Sequence, residues 1–175
     1  MTAVFRERQH FRQTWLWIVF VLPLPPVWIL LAFALHQQLV VGKPFGNQPA
    51  SDAELVMIAI VATLLPLFIA ALIWSSSLET EVSTEELILR FRPFHLRPRR
   101  YALREIARCE ARRYDPLGEF GGWGIRKGWR RGSGWAYNVS GTEGVQLDFH
   151  DGRRLLIGSQ RAADLAAAIR GGMRG

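Results

Sequence analysis

The chain is 175 residues long, carries a formal net charge of +7, and is 49% hydrophobic. Its single cysteine, Cys109, excludes an internal disulfide, a CxxC redox pair and a cysteine-based zinc site. A basic charge on so apolar a chain points to a membrane protein facing an anionic leaflet, and nucleic acid is set aside as the more distant anionic partner.

Residues 1–14 carry Arg6, Arg8 and Arg12 against Glu7 and read as a cytoplasmic N-terminal segment. Two uncharged stretches follow, 15–35 (WLWIVFVLPLPPVWILLAFAL) and 55–74, each about as long as a bilayer is thick. Together they predict a transmembrane hairpin over 15–74, with helices at about 15–35 and 55–74 and an external loop at 36–54. Arginines flank the pair on both sides, while the loop holds Lys43, Asp52 and Glu54. The positive-inside rule therefore places both termini on the cytoplasmic side of a membrane that the chain crosses twice. Trp15, Trp17 and Trp74 then share the cytoplasmic interface, where indole rings collect. Pro23, Pro25 and Pro26 predict a bent first helix packed on the second. Two alternatives stay open for the first span: a signal peptide with a site at Ala32-Phe33-Ala34, and a re-entrant segment. Thr63 is nearly the only polar residue in either span, which argues against an ion or substrate pathway and for an anchor.

From Leu78 the period becomes two, the signature of a strand. Leu78, Thr80 and Val82 share one face, as do Leu87, Leu89 and Phe91 in the next run. Pro93 and Pro98 bound a basic connection, followed by a short strand near Tyr101 and a turn at Leu103-Arg104-Glu105. In IARCEARRY, Ala107, Cys109 and Ala111 form a small-residue face, with Arg108, Glu110 and Arg112 opposite. Asp115-Pro116 marks a turn, and EFGGWGIRKG, WAYNVS and GVQLDF read as three further strands. The turn after Phe149 is set by side-chain alternation. A three-residue loop, His150-Asp151-Gly152, pairs Leu147 with Leu155 and Val145 with Ile157 and requires Gly152 at positive φ. A C-terminal helix at 160–170 follows, with Ser159 as cap, Ala162, Leu165, Ala166 and Ile169 on one face, and Gly171-Gly172 as stop. Residues 75–175 are thus expected to form a cytoplasmic domain of about seven antiparallel strands in a partly open barrel, capped by that helix.

The segments FRERQHFRQTWLW, GKPFG and LETEVSTEEL, and above all GGWGIR, AYNVSG, GVQL and LLIGSQ in order, resemble a bacterial family of membrane proteins. Its members have two membrane helices followed by a domain similar to bacterial pleckstrin-homology (PH) domains. The resemblance implies a membrane α-helical hairpin plus a mainly-β PH-like domain. It brings no activity, cofactor or catalytic residue with it.

Two basic clusters are candidates for contact with anionic lipid or a partner. One is Arg97, Arg99, Arg100 and Arg104; the other is Arg126, Lys127, Arg130 and Arg131, flanked by Trp129 and Trp135. Gly121, Gly122 and Gly124 either turn the backbone or expose N–H groups as an anion nest, and the turn is the stronger reading. His10, His36, His95 and His150 are too scattered to hold a metal, and no catalytic, cofactor or metal residue is assigned. Cys109 reads as a core thiol. The sequence therefore favours a non-enzymatic, membrane-anchored module for protein interaction or self-association as a homo-oligomer. The alternative is a sensor of anionic lipid headgroups through its basic loops.

Overall fold

The structure, a computed structural model, describes residues 4–129 and 132–173. It divides into two compact units: one spans Arg12–Trp74, and the other joins the start of the chain, through Phe11, to everything from Ser75 onward.

In the first unit, α1 (Thr14–Val21) and α2 (Leu24–Leu35) run on into a turn of π-helix at His36–Val40, and α3 covers Asp52–Ser75. The prolines act where expected, by ending one helix and starting the next. Pro23 stands at the break and Pro25 in the first turn of α2, where a missing N–H leaves no bond unmade. The helices meet through Trp17 and Trp74, whose rings lie 5.6 Å apart, and the Arg12 guanidinium sits 5.8 Å from the Trp74 ring. α3 starts three residues earlier than expected, on a reciprocal cap. Ser51 N–H donates to Glu54 Oε2 (2.8 Å), and Glu54 N–H donates weakly to Ser51 Oγ (3.4 Å). Thr14–Val40 and Asp52–Ser75 are both long and apolar enough to cross a membrane, and almost none of that apolar surface is buried within the protein. In water such exposure costs about 25 cal/mol per Å², which lipid removes.

The second unit is mainly β and contains two sheets that do not close into one barrel. Nine strands are present among the described residues, not seven. The first sheet is antiparallel, in the order β1 (Phe5–His10), β2 (Ser77–Val82), β3 (Glu86–Arg92), β4 (Arg99–Ala102). Leu78, Val82, Leu87, Leu89 and Phe91 point into the core as their alternation requires. The residues before the first span, read from sequence only as a basic lead-in, therefore supply a strand. β1 pairs with β2 from Phe5 opposite Val82 to His10 opposite Ser77.

The second sheet has the order β5 (Ile106–Arg113), β8 (Glu143–Phe149), β9 (Arg154–Gly158), β7 (Trp135–Asn138), β6 (Gly124–Lys127). It is mixed, not all antiparallel, because β7 runs parallel to β9. The reason lies in Leu155, Leu156 and Ile157, three consecutive buried apolar residues that suit a central strand covered on both faces. Leu155 and Ile157 join the main core, while Leu156 packs with Tyr114, Phe120 and Ala136. Phe120 comes from α4 (Pro116–Phe120), a short helix at the expected turn that also takes the first two residues of the expected strand 119–128, capped by Asp115 Oδ1 accepting from Leu117 N–H (3.0 Å).

The β8–β9 register is the expected one, with Leu147 opposite Leu155, Val145 opposite Ile157, and Gly152 at φ +83°. On β5, Cys109 and Ala111 pack inward, but a bulge between Ile106 and Arg108 turns Ala107 out to solvent. Helix α5 (Ala162–Gly172) buries Ala162, Leu165, Ala166 and Ile169. It runs through both terminal glycines instead of stopping at them, since Gly172 lies against Leu103, where a Cβ would come within 2.2 Å. Ser159 does not cap α5 as a first-position residue. Its hydroxyl accepts from Arg161 N–H (3.0 Å) and donates to the Glu7 carboxylate.

The position of β1 generates a prediction about the boundaries of the domain. Replacing Phe11–Ser76 by a short glycine-containing turn should leave a soluble, folded domain, because His10 and Ser77 already stand opposite each other. A fragment starting at Ser75 loses the buried Phe5 and the bond from Gln9 Nε2 to Gly158 O (2.8 Å). It should be less stable by roughly 3 kcal/mol, measured by chemical denaturation of the two chains.

Candidate functional site

Period-two geometry sorts the basic residues of β4. Arg99 and Tyr101 share a face and line a cleft of about 350 Å³, together with Lys127, Trp135, Tyr137, Phe149, Arg153 and Arg154. Arg100 points the other way and binds Glu86 at 2.6 Å. The cleft floor is aromatic. Tyr101 meets Phe149 at 5.4 Å between ring centroids, and the Arg153 and Arg99 guanidinium carbons stand 5.0 Å from Phe149 and 5.9 Å from Tyr137. Each such cation–ring contact is worth about 0.5–1 kcal/mol at an exposed site. Lys127 reaches the same place because it pairs with Trp135 at the end of the β6–β7 ladder. A close approach shapes the rim: Gly134 has φ +74°, and a Cβ there would fall 2.1 Å from the Arg154 carbonyl oxygen.

Among the described residues, no carboxylate lines this cleft. Arg153 is paired with Asp151 and Glu105, and Arg154 with Asp148 at 3.3 Å. Arg99 and Lys127 make no ion pair among the described residues, so they supply its unneutralised charge. Two other cavities differ on that point. The groove across the outer face of β5 and β8, about 380 Å³, is internally matched: Arg112 binds Glu119 through two bonds (3.1 and 2.8 Å), and Arg108 binds Glu110. The cavity beside Arg100 and Arg104 also contains Glu85 and Glu86.

The two clusters read from the sequence are therefore redistributed. Arg99, Lys127 and Trp135 come together; Arg100 and Arg104 lie elsewhere, beside acidic residues. Arg97 is exposed in the β3–β4 connection, and Arg126 is exposed with its Nε–H donating to the Trp123 carbonyl oxygen (3.0 Å). Trp129 is 75% exposed, and Arg130 and Arg131 lie outside the described residues. Sequence reasoning missed Tyr101, Tyr137, Phe149, Arg153 and Arg154. The alternation in Arg99-Arg100-Tyr101 was the available signal, but it did not show which strand would face it.

Gly121, Gly122 and Gly124 have φ of +71°, +123° and +113°. Their N–H groups are occupied. Gly121 and Gly122 donate to Leu117 O and Pro116 O (2.9 and 2.8 Å), closing α4, and Gly124 donates to Asn138 Oδ1 (2.9 Å). With all three N–H groups taken, the segment is a helix stop and strand start, not an anion nest. Cys109 packs on α5 with Sγ 3.8 Å from Ala166 O, and burial pushes its thiol up, opposed by nearby Arg170. Among the described residues, no group of three His, Cys, Asp or Glu side chains stands close enough to hold a metal.

No protein-family model, curated protein or solved structure matches this chain. Geometry alone defines the class: a two-sheet β domain with an apolar helical hairpin inserted after its first strand, and a cationic cleft floored by aromatic rings.

His95 borders that floor. Its ring lies 5.4 Å from Tyr137, and its Nδ1 accepts the Phe91 N–H (3.2 Å). Burial, and then the charge of Arg99, hold its pKa below the ordinary 6.5. The imidazole thus takes a proton less readily when folded than when unfolded, so its contribution is present above the unfolded pKa and lost as pH falls through the folded one. Denaturation midpoints should drop between about pH 7 and pH 5, and His95→Gln should flatten part of that drop.

Proposed function

We propose that this protein is a non-catalytic recognition module with a PH-like domain, anchored by α1–α3 in a bacterial inner membrane with both termini cytoplasmic. Its cleft engages the anionic headgroups of the leaflet to which the domain is tethered. The observation that carries this reading is the meeting of Arg99 and Lys127, neither ion-paired among the described residues, over Tyr101, Tyr137 and Phe149. A phosphate meets the cations, and the aromatic rings suit the less polar part of a headgroup. The orientation has separate support. β1 and β2 pair only if residues 10 and 77 lie on one side of a bilayer, so two inserted spans form a hairpin with both ends on that side. The density of arginine at those ends favours the cytoplasm.

The protein-interaction reading also keeps an observation in its favour. Leu117 of α4 and Trp129 are both largely exposed, and Trp129 N–H donates to Glu119 O (3.2 Å) within the same segment. Exposed apolar groups of this kind fit a protein partner or a second copy better than a headgroup.

Vesicle sedimentation of the hairpin-replaced domain separates the readings. Binding should need anionic lipid and weaken with salt, and Arg99→Ala or Lys127→Ala should each lower affinity about fivefold, the equivalent of about 1 kcal/mol per basic residue. Equal binding to neutral vesicles, or no loss in either variant, would remove the headgroup reading.

A further inference from the structure

The β3–β4 connection, Pro93–Pro98, leaves the first sheet at one particular end. Ser77 stands opposite both His10 and Arg92, so this end gathers the last residue of β1, the first of β2 and the last of β3. The same strand ends are covalently joined to the apolar helices. Phe11, Arg12 and Gln13 lead into α1, and only Ser76 separates α3 from β2. At no more than about 3.5 Å per residue, chain length alone keeps Ser77 within roughly 10 Å of Trp74. Arg92 is one strand spacing further, about 5 Å.

The side chains of this connection are unusual for a turn in water. Leu96 is 89% exposed, more than any other large apolar residue described, and Phe94 is 55% exposed. A loose loop does not explain this. His95 N–H donates to Phe91 O (2.7 Å), Phe91 N–H donates to His95 Nδ1, and the His95 ring leans on Tyr137. The Phe94 ring lies 5.9 Å from Phe91, which meets Phe11 at 6.2 Å, so a row of aromatic rings runs from the α1 linker to the loop. Leu96 is thus held outward by an anchored frame. Beside it, Arg92 and Arg100 are spent on Glu79 and Glu86, whereas Arg97 makes no ion pair among the described residues.

We propose that this loop is a membrane contact additional to the two spans. Phe94 and Leu96 dip into the headgroup–acyl boundary of the leaflet where α1 begins and α3 ends, and Arg97 meets its phosphates. The partner is the lipid surface itself, read by apolar insertion beside a phosphate common to its lipids and not by headgroup identity. This inference needs the hairpin in the bilayer but not the headgroup reading of the cleft. Because His95 ties the loop to Tyr137, seating it also orients the cleft floor.

The test uses the full chain in phosphatidylcholine nanodiscs, with Cys109→Ala and a single environment-sensitive fluorophore on Leu96→Cys. A fluorophore on Thr84→Cys, in the exposed β2–β3 turn at the opposite strand end, is the reference. Emission from position 96 should be blue-shifted and quenched by spin-labelled lipid at least about threefold more strongly than from 84. Equal spectra and equal quenching overturn the proposal. A shift at 96 that appears only when phosphatidylglycerol is added also overturns it, and assigns the approach to headgroup binding by the cleft. In the otherwise natural chain, Leu96→Glu should raise deuterium uptake across 94–97 in nanodiscs, and unchanged uptake counts against insertion.

Discussion

Strand β1 pairs with β2 over its whole length, and the helical hairpin is the connection between them. Everything else follows from that insertion. A long connection is tolerable because loop-closure entropy rises only slowly with length. A helical hairpin does better than a random loop, since α1 begins and α3 ends at neighbouring Trp17 and Trp74 and returns the chain to where it left. The β ladder and the helix pair thus favour the same chain closure.

The inner face of β1 shows how firmly the first strand is held. It carries Phe5, Glu7 and Gln9, and the two polar residues bind the junction between β9 and α5. Gln9 donates to Gly158 O, and the Glu7 carboxylate accepts from Ser159 Oγ and from Gln160 N–H (2.9 Å). Arg161 answers from the other side, donating to Arg6 O (3.0 Å) and covering the Phe5 ring at 4.6 Å. Gln9 Oε1 is left without a partner among the described residues, but the bonds from Gln9 Nε2 and Glu7 tie β1 to the segment between β9 and α5. The loop carrying Leu96 and the cleft floored by Tyr137 lie in the same domain, linked by His95.

Charge follows a similar logic. Among the described residues, about half of the arginines are ion-paired, as in Arg8 and Arg92 about Glu79, and such exposed pairs add little stability each. Their effect is to cancel field. Among the described cations that form no ion pair, Arg99 and Lys127 share the cleft and Arg97 stands in the loop.

Strand identity, inward residues and the Phe149 turn were legible because alternation allows only one face to be buried, so Leu147 had to meet Leu155 and Gly152 had to take positive φ. The two apolar spans and the prolines that break the first were legible for equally local reasons. Three features were not. β1 carries mixed charge and gives no apolar pattern, since its inner face bonds through polar side chains. α4 takes the expected turn at Asp115-Pro116 and the first two residues of the expected strand, because Asp115 caps it and Gly121 stops it. The parallel β7–β9 pair was written in Leu155-Leu156-Ile157, but continuous apolarity names a central strand without naming its neighbours. The cleft was hidden for the same reason, being built from five strands that no spacing connects. By itself the sequence determined periodicity, turn geometry and which segments avoid water, all properties of neighbours along the chain. Only the tertiary structure decided which distant strands pair, and so which cations are cancelled and which are left facing one another, because Coulombic and packing energies depend on separation in space.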